Sequence, residues 1–132
     1  MGPPVAASPA LEQRVNPLES ARVATFDEFL NIDIRVGTVL KAEPLKGAIK
    51  PAYRMEIDFG PELGIKNSSG QYTVNYKPED MVGRQILGVV NFPPRRVAGF
   101  MSEVLVLAAP DPTGAHVLLA VERTVPNGGR IS

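Results

Sequence analysis

The chain has 132 residues and a mass of 14.2 kDa, the size of one domain with room for a short extension. Its 14 basic and 14 acidic residues give a net charge of zero, so nucleic-acid binding would require local clustering of charge. The absence of cysteine and the single histidine, His116, exclude disulfides, thiolate nucleophiles and multi-histidine metal centres. No apolar run approaches the roughly 20 residues of a membrane span, and the amino terminus does not have the order of a secretory signal. We therefore expect a cytoplasmic protein that does not insert into membranes.

Residues 1–24 differ in composition from the rest of the chain, being rich in proline and alanine and poor in charge. Alone, such a segment buries too little apolar surface to offset the entropy lost on ordering. It is expected to be an N-terminal arm, docked in a groove of its own domain or of a neighbouring chain, or else an engineered extension. Residues 25–132 are expected to form the domain itself.

The domain begins with Thr25-Phe26-Asp27-Glu28, which has the form of a capping box and predicts a single helical turn. Apolar and polar residues then alternate over 32–41, which predicts a long strand that can bend or bulge at Gly37. A second alternation over 53–59 predicts another strand, and the serine-rich segment 65–73 predicts an irregular third strand at an edge.

The second half of the domain starts with a short helix predicted over 77–83, with proline at its start and glycine at its end. Apolar runs over 85–92 and 103–109 predict two buried strands, 117–121 predicts a last strand, and 126–129 predicts a closing loop. Several short strands around a long, glycine-bearing first strand favour an all-β fold, a β-barrel with short helices of the OB type. Helices and strands do not alternate as a parallel doubly wound sheet would require.

No group of residues in the sequence predicts catalysis. His116 lies beside the turn Pro110-Asp111-Pro112 without a recognisable serine elbow, so we expect a hydrogen-bonded or solvated histidine. The glycines form neither a phosphate-binding loop nor a dinucleotide fingerprint. We expect a non-enzymatic protein that uses no cofactor and no metal.

Two basic clusters are the positive signal for binding. One lies over 41–54 and the other over 84–96, and each has a net charge of +3. Their members are Lys41, Lys46, Lys50 and Arg54, offset by Glu43, and then Arg84, Arg95 and Arg96. Either cluster alone is ordinarily a solvated loop, but two clusters beside the strands of a barrel favour binding of an extended ligand.

Aromatic residues are interleaved with these charges, as stacking on bases or packing of unfolded side chains would require. We expect Phe92 to pack in the core and Tyr76 and Phe100 to be more open. Between them, Pro93-Pro94-Arg95-Arg96 predicts a stiff loop that presents two arginines with little entropy left to lose. Asn91 and Ser102 flank this loop, where short polar side chains normally hold the backbone.

Several segments, spread over about residues 25–132, resemble the tRNA-binding OB-domain family and within it the CsaA-type secretion chaperones. The most extended of these segments are Phe26-Asp27-Glu28-Phe29, Ile32-Asp33-Ile34-Arg35-Val36-Gly37, Val89-Val90-Asn91-Phe92-Pro93-Pro94-Arg95-Arg96 and Val125-Pro126-Asn127-Gly128. In the tRNA-binding branch the pair Ser-Glu is typically followed by Gly-Met, whereas Ser102-Glu103 is followed by Val104-Leu105. This departure favours the chaperone branch; Gly70, in place of the family's usual alanine, is a smaller one.

The resemblance implies an OB barrel of the tRNA-binding-domain type that forms a homodimer and binds unfolded or export-destined polypeptides, with an export-machinery component as a further partner. A groove with an apolar floor and a basic rim would suit such ligands. Its expected residues are Lys50, Tyr53, Ser68, Tyr76, Asn91, Arg95, Arg96, Phe100, Met101 and Ser102. The alternative is tRNA binding by the same barrel surface, and a third hypothesis is an inert subunit or scaffold.

Overall fold

The computed structural model describes residues 22–132. The predicted N-terminal arm therefore falls almost entirely outside the described residues. The chain divides into two compact units, the first ending at Asn31 and the second running from Ile32 to Ser132, which is called the body below. Within residues 22–132, every helix is too short to cross a lipid bilayer.

The first unit contains helix α1, which spans Phe26–Leu30. Its capping box is the one predicted from the sequence: the Glu28 N–H donates to Thr25 Oγ1 at 3.1 Å, and the Thr25 N–H donates to Glu28 Oε1 at 2.8 Å. The hydrogen bond from the Thr25 N–H is the main cause that holds the pKa of the Glu28 carboxyl below its ordinary value, and a hydrogen bond with the Thr25 hydroxyl lowers it further. The local sequence thus determines how this helix starts.

The body consists mainly of short antiparallel strands, and the prediction of an all-β barrel with short helices is confirmed. Its main sheet has the strand order β3-β2-β1-β4-β7, while β5–β6 and β8–β9 are two-stranded ladders. In chain order the elements are β1 (Ile34–Pro44), β2 (Tyr53–Asp58), α2 (Gly60–Leu63), β3 (Ile65–Gly70), α3 (Pro78–Met81), β4 (Gln85–Val89), β5 (Arg95–Val97), β6 (Phe100–Ser102), β7 (Leu105–Val106), β8 (Ala108–Pro110) and β9 (His116–Leu118).

Strand β1 is the centre of the sheet because it pairs with β4 along its first half and with β2 along its second half. The bulge in β1 lies between Val39 and Lys41, at Leu40, and not at Gly37 as the sequence suggested. Gly37 has a different role: a Cβ there would lie 2.8 Å from the Phe59 ring and 2.8 Å from Ile57. The absence of a side chain at Gly37 therefore lets the core pack directly on the strand backbone.

The barrel closes where the segment 103–106 lies between β4 and β3. On one side β7 pairs with β4, and on the other Val104 forms a parallel bridge with Ser68. The Glu103 N–H donates to the Asn67 carbonyl at 2.8 Å, and Ser68 Oγ donates to the Val104 carbonyl at 2.6 Å. The largest fully buried side chains of the body form the core inside this closure: Phe59, Met55, Ile57, Met81, Ile86, Val36 and Val39.

The segment after β9 runs along the part of β1 that β2 does not cover. The Val36 N–H donates to the Gly129 carbonyl at 3.0 Å, and the Gly128 N–H donates to the Val36 carbonyl at 2.7 Å. Asn127 Oδ1 accepts from the Thr38 hydroxyl at 2.9 Å. The segment predicted as a closing loop therefore also satisfies the free edge of the central strand.

Candidate ligand-binding groove

One groove of the described body has a volume of about 790 Å³. It lies between the turn joining β1 to β2, the end of β3, strand β5 and the segment 105–108. We call it the Lys50–Arg95 groove after the two basic residues on its rim. The residues that define its chemistry are Ile49, Lys50, Tyr72, Arg95, Leu105 and His116.

The rim of the Lys50–Arg95 groove is basic. Lys50 and Arg95 are both exposed, and the residues lining this groove include no aspartate or glutamate. His116 lies at one end, where its Nδ1 is 2.9 Å from the Gln71 carbonyl oxygen, as the expectation of a hydrogen-bonded histidine requires. The His116 ring also meets the Tyr72 ring edge-on, with centroids 5.8 Å apart.

The floor of the groove is apolar. Val106 and Tyr72 are buried beneath it, whereas Leu105 remains 52% exposed and Ile49 is fully exposed. Burial raises the pKa of the Tyr72 hydroxyl to about 12, and that hydroxyl donates to the Val106 carbonyl at 3.3 Å. Exposed leucine and isoleucine side chains beside a rigid wall offer a ligand apolar surface that water solvates poorly.

The hairpin β5–β6 forms one wall, and here the prediction that Pro93-Pro94-Arg95-Arg96 form a loop is wrong for the two arginines. Arg95 to Val97 form a strand, and Ala98 (φ 49°) and Gly99 (φ 79°) make a two-residue turn. Two successive positive φ values are typical of the turns that match the twist of a hairpin. The pairing of Arg95 with Ser102 and of Arg96 with Met101 places the two arginines on opposite faces.

Arg95 lines the groove, but three other predicted contacts do not. Arg96 is exposed and its Nη1 donates to the Gly99 carbonyl at 3.4 Å, while Met101, its cross-strand partner, is 44% exposed. Phe100 lines two smaller grooves of about 440 and 220 Å³, together with Arg54. The three apolar or aromatic residues expected in one groove, Tyr53, Phe100 and Met101, therefore do not form a common floor.

Two predicted binding residues lie in the interior. Tyr53 is 7% exposed, and its hydroxyl donates to the Tyr76 carbonyl at 2.8 Å. Burial is the main cause that raises the pKa of the Tyr53 hydroxyl, and the negative charges of Glu79 and Asp80 raise it further. Ser68 is fully buried, and its Oγ donates to the Val104 carbonyl. Neither side chain can contact a ligand in this arrangement.

Asn91 and Ser102 hold the backbone, as their positions at strand ends suggested. Asn91 Oδ1 accepts from the Asp33 N–H at 2.9 Å, and Ser102 Oγ accepts from the Ser69 N–H at 3.1 Å. Their polar atoms therefore already serve the fold, which weakens their assignment as ligand contacts.

The fold does not bring all members of the two basic clusters to one surface: Lys50 and Arg95 line the Lys50–Arg95 groove, whereas Arg54 and Arg84 do not. In the second cluster Arg84 packs over the Tyr76 ring at 5.3 Å, and the Tyr76 hydroxyl accepts from the Leu118 N–H at 3.0 Å. Phe92 is 42% exposed, so the expectation that it packs in the core is wrong. Of the predicted binding residues, only Lys50 and Arg95 line the Lys50–Arg95 groove.

Three residues of the Lys50–Arg95 groove were not predicted from the sequence: Leu105, Ile49 and His116. Leu105 belongs to an apolar run interpreted as a buried strand, yet alternation about the buried Val104 and Val106 places it on the outer side. Ile49 lies in a lysine-rich turn whose shape the sequence does not define. A period of two across 104–106 was the signal that could have identified Leu105.

An antiparallel sheet that is nearly closed by the parallel Ser68–Val104 bridge, with a long, bulged first strand and a helix between β3 and β4, defines the class of OB-type barrels. Residues 34–130 match the model of the putative tRNA binding domain family, and the chain belongs to that family. The matched range covers β1 to the segment that completes its edge.

Two solved structures are similar over more than four-fifths of the chain. The chaperone CsaA of Bacillus anthracis is 56% identical, with a TM-score of 0.79, and the match covers 84% of this chain and all of that one. The CsaA chaperone protein of Picrophilus torridus is 45% identical, with a TM-score of 0.78 and coverage of 83% and 100%. The resemblance to the CsaA branch of the family is thereby confirmed.

Similarity also extends to aminoacyl-tRNA ligases. The methionine–tRNA ligase of Methanothrix thermoacetophila is 42% identical over 106 residues, which are 80% of this chain and 15% of the ligase. The chain thus spans about one seventh of that relative's length, and the match is confined to its tRNA-binding domain.

Proposed function

We propose that this domain is a non-catalytic, cytoplasmic chaperone that binds extended segments of unfolded or export-destined polypeptides in the Lys50–Arg95 groove. The observation that carries the proposal is the combination of an apolar floor with a basic rim free of acidic residues. The two similar structures named as CsaA chaperones support it.

The chemistry of the groove suits a ligand without a fixed sequence. Covering the exposed parts of Leu105 and Ile49 stabilises any complex that brings apolar side chains, by roughly 1–2 kcal/mol for each residue buried. Lys50 and Arg95 attract acidic stretches and accelerate encounter without requiring one particular partner residue. Folded proteins bury most of their large apolar side chains, so unfolded chains are preferred.

The proposal includes a homodimer, as the CsaA resemblance implies. Two copies offer two grooves, and a long unfolded chain that engages both gains affinity through effective concentration. Delivery to a component of the export machinery is part of the same proposal. Measurement of the mass in solution by light scattering tests the dimer, and a monomer at micromolar concentration would overturn it.

The second candidate function is tRNA binding by the same barrel. It is favoured by the family model over residues 34–130 and by the similarity to methionine–tRNA ligases. In that case Lys50 and Arg95 would neutralise phosphates, and affinity would depend on the release of counterions. A scaffold that binds neither ligand is the third hypothesis.

A titration of both ligands across a salt series distinguishes these functions. The probes are a reduced, alkylated polypeptide that stays unfolded and a bulk tRNA preparation, each added to the full chain. Polypeptide binding that persists at moderate salt supports the chaperone, because apolar contact carries much of it. Tighter binding of tRNA that falls steeply with salt supports the second candidate. Binding of neither would support a scaffold and overturn both proposals.

A further inference from the structure

A row of alternating charges crosses β1 and β2 beside Phe100. In the register of these strands Lys41 lies opposite Glu56, and Glu43 lies opposite Arg54. All four side chains line the groove of about 220 Å³ that also contains Phe100. We call these five residues the Phe100 face. It is a different surface from the Lys50–Arg95 groove, since the two have no lining residue in common.

The ion pair between Glu43 and Arg54 holds the Phe100 face together. Arg54 Nε donates to Glu43 Oε1 at 2.5 Å, and Arg54 Nη2 bonds to the same oxygen. The guanidinium carbon of Arg54 lies 5.7 Å from the centroid of the Phe100 ring. Arg54 is thus fixed between a carboxylate and an aromatic ring, although its own side chain is 45% exposed.

Glu43 remains ionised at this position. The hydrogen bond from Arg54, followed by the charges of Arg54, Lys41 and Lys46, holds the pKa of Glu43 below its ordinary value. Lys46 lines the neighbouring groove of about 440 Å³ together with Glu43, Arg54 and Phe100. One carboxylate therefore lies within reach of three cations.

Without its carboxylates, the Phe100 face would have the components of a site for single-stranded nucleic acid. Such sites on OB barrels combine an aromatic ring on the strands with cations that follow the phosphate backbone. Here the charges of Glu43 and Glu56 cancel those of Arg54 and Lys41. An incoming phosphate would have to break the Glu43–Arg54 pair and would lie next to a negative charge.

We propose that Glu43 determines ligand specificity by occupying Arg54, so that the Phe100 face does not accept nucleic-acid backbones. A selective protein discriminates by penalising the wrong ligand as well as by favouring the right one. The inference goes beyond the proposed function and does not depend on it, because it concerns a separate face and a separate ligand. It also accounts for two members of the first basic cluster, Arg54 and Lys41, which lie opposite Glu43 and Glu56 in the folded chain.

The test replaces Glu43 with glutamine and measures binding of a single-stranded RNA of about 16 nucleotides, the upper range for one OB fold. We expect Glu43→Gln to raise RNA affinity about ten-fold at low salt, because one arginine becomes free for a phosphate. The slope of log affinity against log salt should become steeper by about 0.7, the value for one more phosphate contact.

The matched control is Glu122→Gln. Glu122 also pairs with an arginine, Arg123 at 2.7 Å, and is exposed, but lines none of the three grooves. The Glu122→Gln substitution makes the same change in net charge as Glu43→Gln. Because Glu122 lies outside the three grooves, this substitution should alter RNA affinity less than two-fold. Adding Arg54→Ala to Glu43→Gln should remove the gain. Thermal unfolding of each variant checks that the fold is retained.

Equal RNA affinity of the wild type, Glu43→Gln and Glu122→Gln would overturn the inference, as would a gain that survives Arg54→Ala. Weaker RNA binding by Glu43→Gln would overturn it too, because the pair would then be part of an existing RNA site. Unfolded-polypeptide binding is measured on the same variants and should not change. If the wild type did not bind the unfolded polypeptide, that result would count against the proposed function and leave the inference on Glu43 unaffected.

Discussion

Arg95 and Arg96 are adjacent in the sequence but lie on opposite faces of the β5–β6 hairpin, Arg95 towards the groove and Arg96 away from it. Both are exposed and both carry the same charge. The pair therefore offers a comparison in which composition and net charge are identical and only position differs.

If the groove binds polypeptides, Arg95→Ala should weaken binding of an unfolded, acidic polypeptide about two- to five-fold, the effect of roughly 0.5–1 kcal/mol typical of an exposed charge contact. Arg96→Ala should leave this affinity within two-fold of the wild type. Fluorescence anisotropy with a labelled polypeptide measures both. Equal losses in the two variants would mean that the whole hairpin, and not the groove side alone, contacts the ligand.

Leu105 supplies exposed apolar surface in the Lys50–Arg95 groove. Leu105→Asn removes part of the apolar contact and should reduce polypeptide affinity roughly five- to ten-fold, with the residual affinity becoming more sensitive to salt. The matched control is Val82→Asn, because Val82 is 48% exposed, against 52% for Leu105, and lies beyond the groove at the end of α3. Isothermal titration calorimetry compares the two, and the same loss at both positions would point to nonspecific adsorption.

The sequence predicts the existence of helices and strands better than their termini. Alternation gave β1 and β2, and the capping box at Thr25 gave the start of α1, because these signals depend on neighbouring residues. The predicted strand over 85–92 ends at Val89 in the structure, and Phe92 lies outside it. Where a strand stops depends on its partners: at that end of β4, β1 begins with Ile34 opposite Val89, and β7 has only two residues.

The candidate site was only partly predictable. Lys50 and Arg95 were expected from charge alone and do line one groove. Tyr53 and Ser68 were expected there too, yet both are buried, with the Tyr53 hydroxyl donating to the Tyr76 carbonyl and Ser68 Oγ donating to the Val104 carbonyl. Pairing between distant strands decides whether a polar side chain is a surface contact or an internal hydrogen bond, and no local pattern encodes that pairing.

Gly37 permits the closest approach between β1 and the core, and its substitution should be costly. An alanine Cβ there would lie 2.8 Å from both Ile57 and the Phe59 ring, each of which is fully buried and unable to move aside. We expect Gly37→Ala to lower the free energy of unfolding by about 1–3 kcal/mol, as overpacked cores do. Urea unfolding measures it.

The control for that substitution is Gly129→Ala, where the nearest atom to an added Cβ is 3.4 Å away and the residue is exposed. Its free energy of unfolding should stay within about 0.5 kcal/mol of the wild type. Equal losses of stability in the two glycine variants would show that packing against Phe59 is not the cause, because restricting the unfolded backbone by itself stabilises the fold.

Tyr72 should make the stability of the domain fall at alkaline pH. Burial raises its pKa to about 12, above the value of about 10 for an unfolded tyrosine, so the folded state holds the proton more tightly. Its contribution is therefore complete below about pH 10 and is lost as the pH rises towards 12, by at most roughly 3 kcal/mol. Urea unfolding between roughly pH 9 and 11.5 should show a steeper decline for the wild type than for Tyr72→Phe, which has no proton to lose. Tyr72→Phe also removes the bond to Val106, but that loss lowers stability at every pH and leaves the slope unchanged. Parallel declines in the two proteins would show that Tyr72 ionises as freely in the folded domain as in the unfolded chain.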